Sequence, residues 1–143
     1  MKKMLTLAIT VLAFAGISAF AADKSPVQVS LLPTLAIPNV QTVHGLDLGL
    51  IASNIEEVQG LQATWIFGGT DKKLVGVQLG FVNKGNNVIG LQYGFYNGAN
   101  KVTGVQLGFI NVTEKMTGVQ VGLVNLIKKS KVLPVMLLVN AYF

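Results

Sequence analysis

The stretch GVQLGFVN from Gly76 to Asn83 is followed by GLQYGFYN from Gly90, GVQLGFIN from Gly104 and GVQVGLVN from Gly118, each copy beginning 14 residues after the one before. Weaker copies precede them, GLQATWIF from Gly60 and GLDLGLIA from Gly45. So short a period means one small supersecondary unit per repeat, built against its neighbours. Helix must be excluded first, because Gly76 and Gly80 spell the GxxxG of packed membrane helices. Each apolar run lasts only about 8 to 10 residues before Asn and Gly interrupt it, far below the length of a spanning helix. The residues between the glycines are mainly Val, Phe, Tyr and Ile, which favour strands. Alternation settles the matter. Val75, Val77, Leu79 and Phe81 share one face, and Gly76, Gln78, Gly80 and Val82 share the other; Ile89, Leu91, Tyr93 and Phe95 oppose Gly90, Gln92 and Gly94 in the same way.

The G-x-Q-x-G core is a palindrome about its glutamine, which fits antiparallel pairing. With Gln78 opposite Gln92 the midpoint is Gly85, and the other pairs place it at Thr70, Ala99 and Thr113, all in turn-like segments. The expectation is an all-β, antiparallel up-and-down meander. Eight candidate strands, counting Val27–Ile37 at the start and Val132–Phe143 at the end, give about 15 residues per strand and turn, the dimensions of an eight-stranded membrane β-barrel. Its Val/Leu/Phe face would meet lipid and its Gly/Gln face would fill the lumen. Pro33 and Pro134 fall where the first and last strands must close the barrel, and proline donates no ladder hydrogen bond. The alternative is a β-solenoid of 14-residue coils, with the Val/Leu/Phe face inward and the glutamines stacked in a ladder.

The ends and the composition bear on location. Lys2 and Lys3, the apolar run Met4–Ile17 and Ala19-Phe20-Ala21 make a signal peptide over residues 1–21, cleaved after Ala21, leaving 22–143 as a single domain. There is no cysteine, hence no disulfide framework, thiolate site or lipid-bearing Cys. Charged residues are 12% of the chain and mean hydropathy is +0.57, sparse in charge for a soluble surface. An exported protein placed in the outer membrane follows, with periplasm or secretion as alternatives. The terminal Phe143 behind alternating Val135, Leu137, Val139 and Ala141 resembles the C-terminal signal of outer-membrane barrels, although Ala141 departs from the aromatic often found there. The repeat itself, over Gly45 to Asn125, resembles the bacterial surface-repeat family with GxQxGxxN units known from spirochaete surface proteins. That resemblance implies an envelope or surface location, with no activity or catalytic residue to transfer.

Candidate site residues are few. His44 is the only histidine, and no nucleophile–base pair, phosphate loop or metal cluster is legible, so neither enzyme chemistry nor a cofactor or metal is expected. Asp47, Gln62, Gln78, Gln92, Gln106 and Gln120 would form a structural girdle in the lumen, its amides both donating and accepting. Lys72, Lys73, Lys128, Lys129 and Lys131 would lie on the outer rim and contact lipopolysaccharide phosphates. Outer-membrane lipid is thus the expected partner, and a chain with no Arg is not expected to bind nucleic acid. The function expected is that of a structural or surface-exposed envelope barrel, with a soluble binding module or a narrow pore as alternatives.

Overall fold

The computed structural model describes residues 24–131 and 134–143; the signal peptide and its cleavage site, and Val132, lie outside them. The chain is all-β: β1 (Lys24–Leu32), β2 (Leu35–Ile37), β3 (Thr42–Gly49), β4 (Ala52–Thr64), β5 (Phe67–Leu79), β6 (Val82–Ile127) and β7 (Val135–Tyr142). They form one sheet in the order β2-β1-β3-β4-β5-β6-β7. The decisive feature is direction. β1 with β3, β3 with β4, β4 with β5 and β5 with β6 all pair in parallel, with Gly45, Gly60, Gly76 and Gly90 in one register column and Asp47, Gln62, Gln78 and Gln92 in the next but one. β6, 46 residues long, continues the winding through the copies at Gly104 and Gly118.

The architecture is therefore a β-solenoid, and the expected antiparallel eight-stranded barrel is corrected. The palindromic core is silent on direction, because Gln92 faces Gln106 in a hairpin and in a stack alike. What the hairpin reading took for turns, around Thr70, Gly85, Ala99 and Thr113, is the second side of each coil. Thr70 and Thr113 are buried in the interior rather than looped into solvent. Pro33 sits in the tight turn between β1 and β2, and Pro134 immediately precedes β7, so neither interrupts a ladder. The alternative is corrected in one respect too: its inward and outward faces are exchanged. The glutamine face points in and the large Val/Leu/Phe face points out.

The interior is half apolar and half amide. Val43, Val58, Leu74, Val88, Val102 and Met116 stack in one column, with Val40, Ile55 and Ile127 against them. Beside them the coil pinches to backbone contact at the glycines. Gly104 has φ +139°, and a Cβ there would strike the carbonyl oxygen of Gly90 in the preceding coil. Only glycine tolerates both the left-handed conformation and that approach. The coils from Asp47 to Gln62 and from Gln62 to Gln78 are one and two residues longer than the regular 14, and β5 absorbs an extra residue in a bulge beside Asp71 and Lys72.

Both ends of the stack change direction. β2 folds back antiparallel on β1 through Val29↔Ile37 and Ser30↔Ala36, and β7 runs antiparallel along the last coil from Gly118↔Tyr142 to Leu126↔Val135. Terminal strands of this kind occupy edges at which parallel stacking would otherwise continue.

Candidate functional site

The inward polar residues form two hydrogen-bonded ladders. Gln120 Nε2 donates to Gln106 Oε1, Gln106 to Gln92 and Gln92 to Gln78, each at 2.7 Å; Gln78 donates to Gln62 at 2.6 Å. Gln62 completes the run on Asp47 Oδ2 at 2.8 Å. The second ladder has the opposite polarity: Asn83 Nδ2 donates to Asn97 Oδ1 at 2.9 Å, Asn97 to Asn111 at 2.8 Å and Asn111 to Asn125 at 2.8 Å. The same Asn amides also donate across the coil, to the carbonyls of Tyr93, Leu107 and Val121. Each asparagine thus ties one corner of its coil to the next coil. Paired strings of this kind strengthen one another in a dry interior, which is how a core this polar is held, and their end acceptors Gln120 Oε1 and Asn83 Oδ1 are left without a donor among the described residues.

Asp47, Gln62, Gln78, Gln92, Gln106 and Gln120 are thereby brought together, stacked along an axis rather than arranged around a lumen. Asp47 is fully buried at the N-terminal end of its ladder. Ser53 Oγ donates to its Oδ2 at 2.6 Å, while Oδ1 has no donor. Its register partner Gln28 also carries an unpartnered Oε1. Burial pushes the Asp47 carboxyl above its ordinary value of 3.8, against the lowering effect of the Ser53 and Gln62 hydrogen bonds.

The outer face opposite this ladder is the candidate site. Strand alternation sends the residues immediately before and after each glutamine outward, so Leu61, Val77, Leu91, Val105 and Val119 form one column, and Leu79, Tyr93, Leu107 and Val121 another. Ile66, Phe81, Phe95, Phe109 and Leu123 follow at the corner of the coil. The rings of Phe81 and Phe95 stack at 5.0 Å and those of Phe95 and Phe109 at 4.9 Å. Between the last two columns runs an open groove of about 980 Å³, floored by Gly80, Gly94, Gly108 and Gly122. Trp65, 80% exposed, stands at one end and Leu138 and Val139 of β7 at the other. The glycines of the floor are required by the ladder behind it. A Cβ on Gly108 would meet the Asn97 amide nitrogen at 2.5 Å and the backbone oxygen of Gly94.

A row of lysines flanks this face. Five residues before each glutamine the register column runs Thr42, Glu57, Lys73, Asn87, and the 14-residue step continues it to Lys101, Lys115 and Lys129. Lys129 pairs with Glu114 at 3.2 Å; among the described residues no carboxylate lies within 4.0 Å of Lys73, Lys101 or Lys115. Of the five lysines singled out from sequence, only Lys73 and Lys129 belong to this row. Lys72 lies one position earlier and is bonded to Glu56 at 2.6 Å, which raises its pKa; Lys128 is beside Lys129, and Lys131 follows the last coil. His44 is exposed on the outer face opposite Gln59.

Sequence reasoning missed the asparagine ladder, the Lys101–Lys115 pair and the Trp65 edge. The 14-residue recurrence of Asn83, Asn97, Asn111 and Asn125 carried the first of these. In a Gln-centred hairpin Asn97 would face Lys101, whereas parallel stacking sets amide on amide. No family model, no curated protein and no solved structure matches this chain.

Proposed function

We propose that this protein is an exported, non-catalytic β-solenoid binding module whose outward apolar face is its contact surface. The observation that carries this is a departure from the usual arrangement: amides fill half of the interior while Phe, Tyr, Leu and Val ladders face out. Three outward apolar columns spaced by two residues are about 13 Å across, and six coils at about 4.8 Å each make the face some 24 Å long, on the order of 300 Å². That is the size of the largest apolar patch a monomer leaves uncovered, and such patches often mark interaction sites. The rigid ladders behind it hold the face flat and in register. Export is supported by the basic start, apolar run and Ala19-Phe20-Ala21 of the N-terminal sequence, and an envelope setting by the resemblance of its repeat to bacterial surface repeats.

The test is accessibility in place. Phe95→Cys on the face and Lys84→Cys on the second side of the coil are made in the otherwise cysteine-free full-length chain and treated with a water-soluble maleimide. Position 95 should be protected in isolated envelopes and reactive in the purified protein, while position 84 reacts in both. Equal reactivity of position 95 in the two preparations would remove the face as a contact surface.

A further inference from the structure

The apolar face and the lysine row share one side of the solenoid, and together they specify a partner more closely than either alone. Each coil presents, in order along its strand, the lysine-row position, three or four apolar or small outward positions, and the aromatic corner. Apart from the buried Asp47, the acids of the described residues are Glu56, Glu57, Asp71 and Glu114. All four fall in the lysine row or within two positions beyond it; none lies between the row and the aromatic edge. Two of them are taken up by Lys72 and Lys129. The net effect is a carboxylate-free apolar face with Lys73, Lys101 and Lys115, none of them in an ion pair among the described residues, along one margin, where Glu57 is the one acid of the row.

A second copy of this chain is a poor occupant. Copies apposed through this face bring only Glu57, itself a member of the row, to the three lysines, and otherwise they stack like charge against like charge or leave it in an apolar seam, which is costly. A partner of uniform negative charge over an apolar layer meets both features at once. We infer that this face docks on an anionic phospholipid bilayer surface, with Trp65, Phe81, Phe95 and Phe109 entering the boundary between headgroups and acyl chains. Lys73, Lys101 and Lys115 then lie over the lipid phosphates. The inference rests on the binding-face reading above and names its partner. It also assigns a use to the groove, whose glycine floor leaves room for an acyl segment between two apolar walls. The aromatic edge suits the interface because amphipathic and aromatic side chains partition there, and each lysine near an anionic surface adds electrostatic attraction.

Trp65 is the only tryptophan and stands on the aromatic edge, so it reports contact directly. The full-length chain is mixed with phosphatidylcholine vesicles with and without phosphatidylglycerol, and both co-sedimentation and Trp65 emission are followed. Binding should require phosphatidylglycerol, shift the emission to the blue, and fall at high salt. The triple variant Lys73→Gln/Lys101→Gln/Lys115→Gln should bind at least about tenfold more weakly, whereas Lys128→Gln/Lys131→Gln, exposed but off the row, should bind within about twofold of the parent. Phe95→Ser/Phe109→Ser should lose the blue shift, and circular dichroism checks that each variant keeps its sheet. Equal binding to neutral vesicles, equal losses from the two lysine sets, or a blue shift that tracks self-association in the absence of lipid would each overturn the inference. If position 95 is protected in envelopes yet the protein ignores anionic vesicles, the lipid assignment falls while the contact surface stands.

Discussion

Replacing Asp47 by Asn should stabilise the protein at neutral pH, and by a pH-dependent amount. In the native interior Asp47 Oδ2 receives two good hydrogen bonds, but Oδ1 and the facing Gln28 Oε1 are two acceptors with no donor between them. Each unsatisfied buried acceptor costs about 1–3 kcal/mol. Asn keeps the acceptor for Ser53 and Gln62 and places an N–H where Oδ1 stood, which removes one unpaired acceptor and offers a donor to its register partner Gln28. Allowing for imperfect geometry, the expected gain is about 1–3 kcal/mol at pH 7. The same proton can come from acid. Because the folded-state pKa of Asp47 is raised, the native protein binds a proton over a range where the unfolded chain has released it. The Asp47 contribution is therefore fully present below the ordinary value of 3.8 and is lost as pH rises through the higher folded value. Urea unfolding of parent and Asp47→Asn at acid and neutral pH reads this as a difference, in which other titrating groups cancel. The two proteins should nearly coincide in acid and separate at neutral pH, the variant being the more stable. An equal offset at both pH values, or a less stable variant at neutral pH, would refute the donor deficit at this site.

Three other substitutions probe the same construction. Gln106→Leu removes one rung and strands the Gln92 acceptor and the Gln120 donor, so unfolding free energy should drop by about 2–4 kcal/mol; an unchanged midpoint would contradict the inward ladder. Gly104→Ala must fit a Cβ against the Gly90 carbonyl at positive φ and should cost at least about 1–3 kcal/mol, read by thermal unfolding. Leu107→Arg lies on the outer face and should change stability by less than about 1 kcal/mol, in contrast to the severe folding defect that a lipid-facing barrel position or an inward solenoid position would give.

The strands, their alternation and the inward set of glutamines were legible because a period of two and a repeat of 14 are written into every copy. Direction was not. The palindrome around Gln92 and Gln106 pairs equally well both ways, and Gly-rich segments such as Asn97-Gly98-Ala99-Asn100 imitate hairpin turns. The discriminating signal was the translation of the whole unit. An up-and-down meander repeats naturally every two strands, since its turns alternate between two rims, whereas here Val88, Val102 and Met116, and Asn83, Asn97 and Asn111, recur on the single-strand period. The outward face was read as lipid-facing because large apolar residues pointed away from amides. That pairing of faces holds, but an amide interior can be sealed by ladders within a narrow coil as well as by closing a barrel. The lysine row was out of reach without the stack, since Lys73, Lys101 and Lys115 become neighbours only when coils are superposed.

Parallel 14-residue stacking is the central claim, and a pair of spin labels tests it most directly. Thr103 and Thr117 are both exposed, one coil apart in the same outward column, and the absence of native cysteine allows labels at these two positions alone. Parallel coils put their backbones about 4.8 Å apart, so Thr103→Cys/Thr117→Cys should give a spectrum broadened by strong spin–spin interaction, absent from either single variant. An antiparallel hairpin centred on Thr113 would instead face Thr103 with Leu123 and offset Thr117 by six residues, about 20 Å along the strand. A sharp spectrum with a pulsed-dipolar distance near that value would contradict the solenoid.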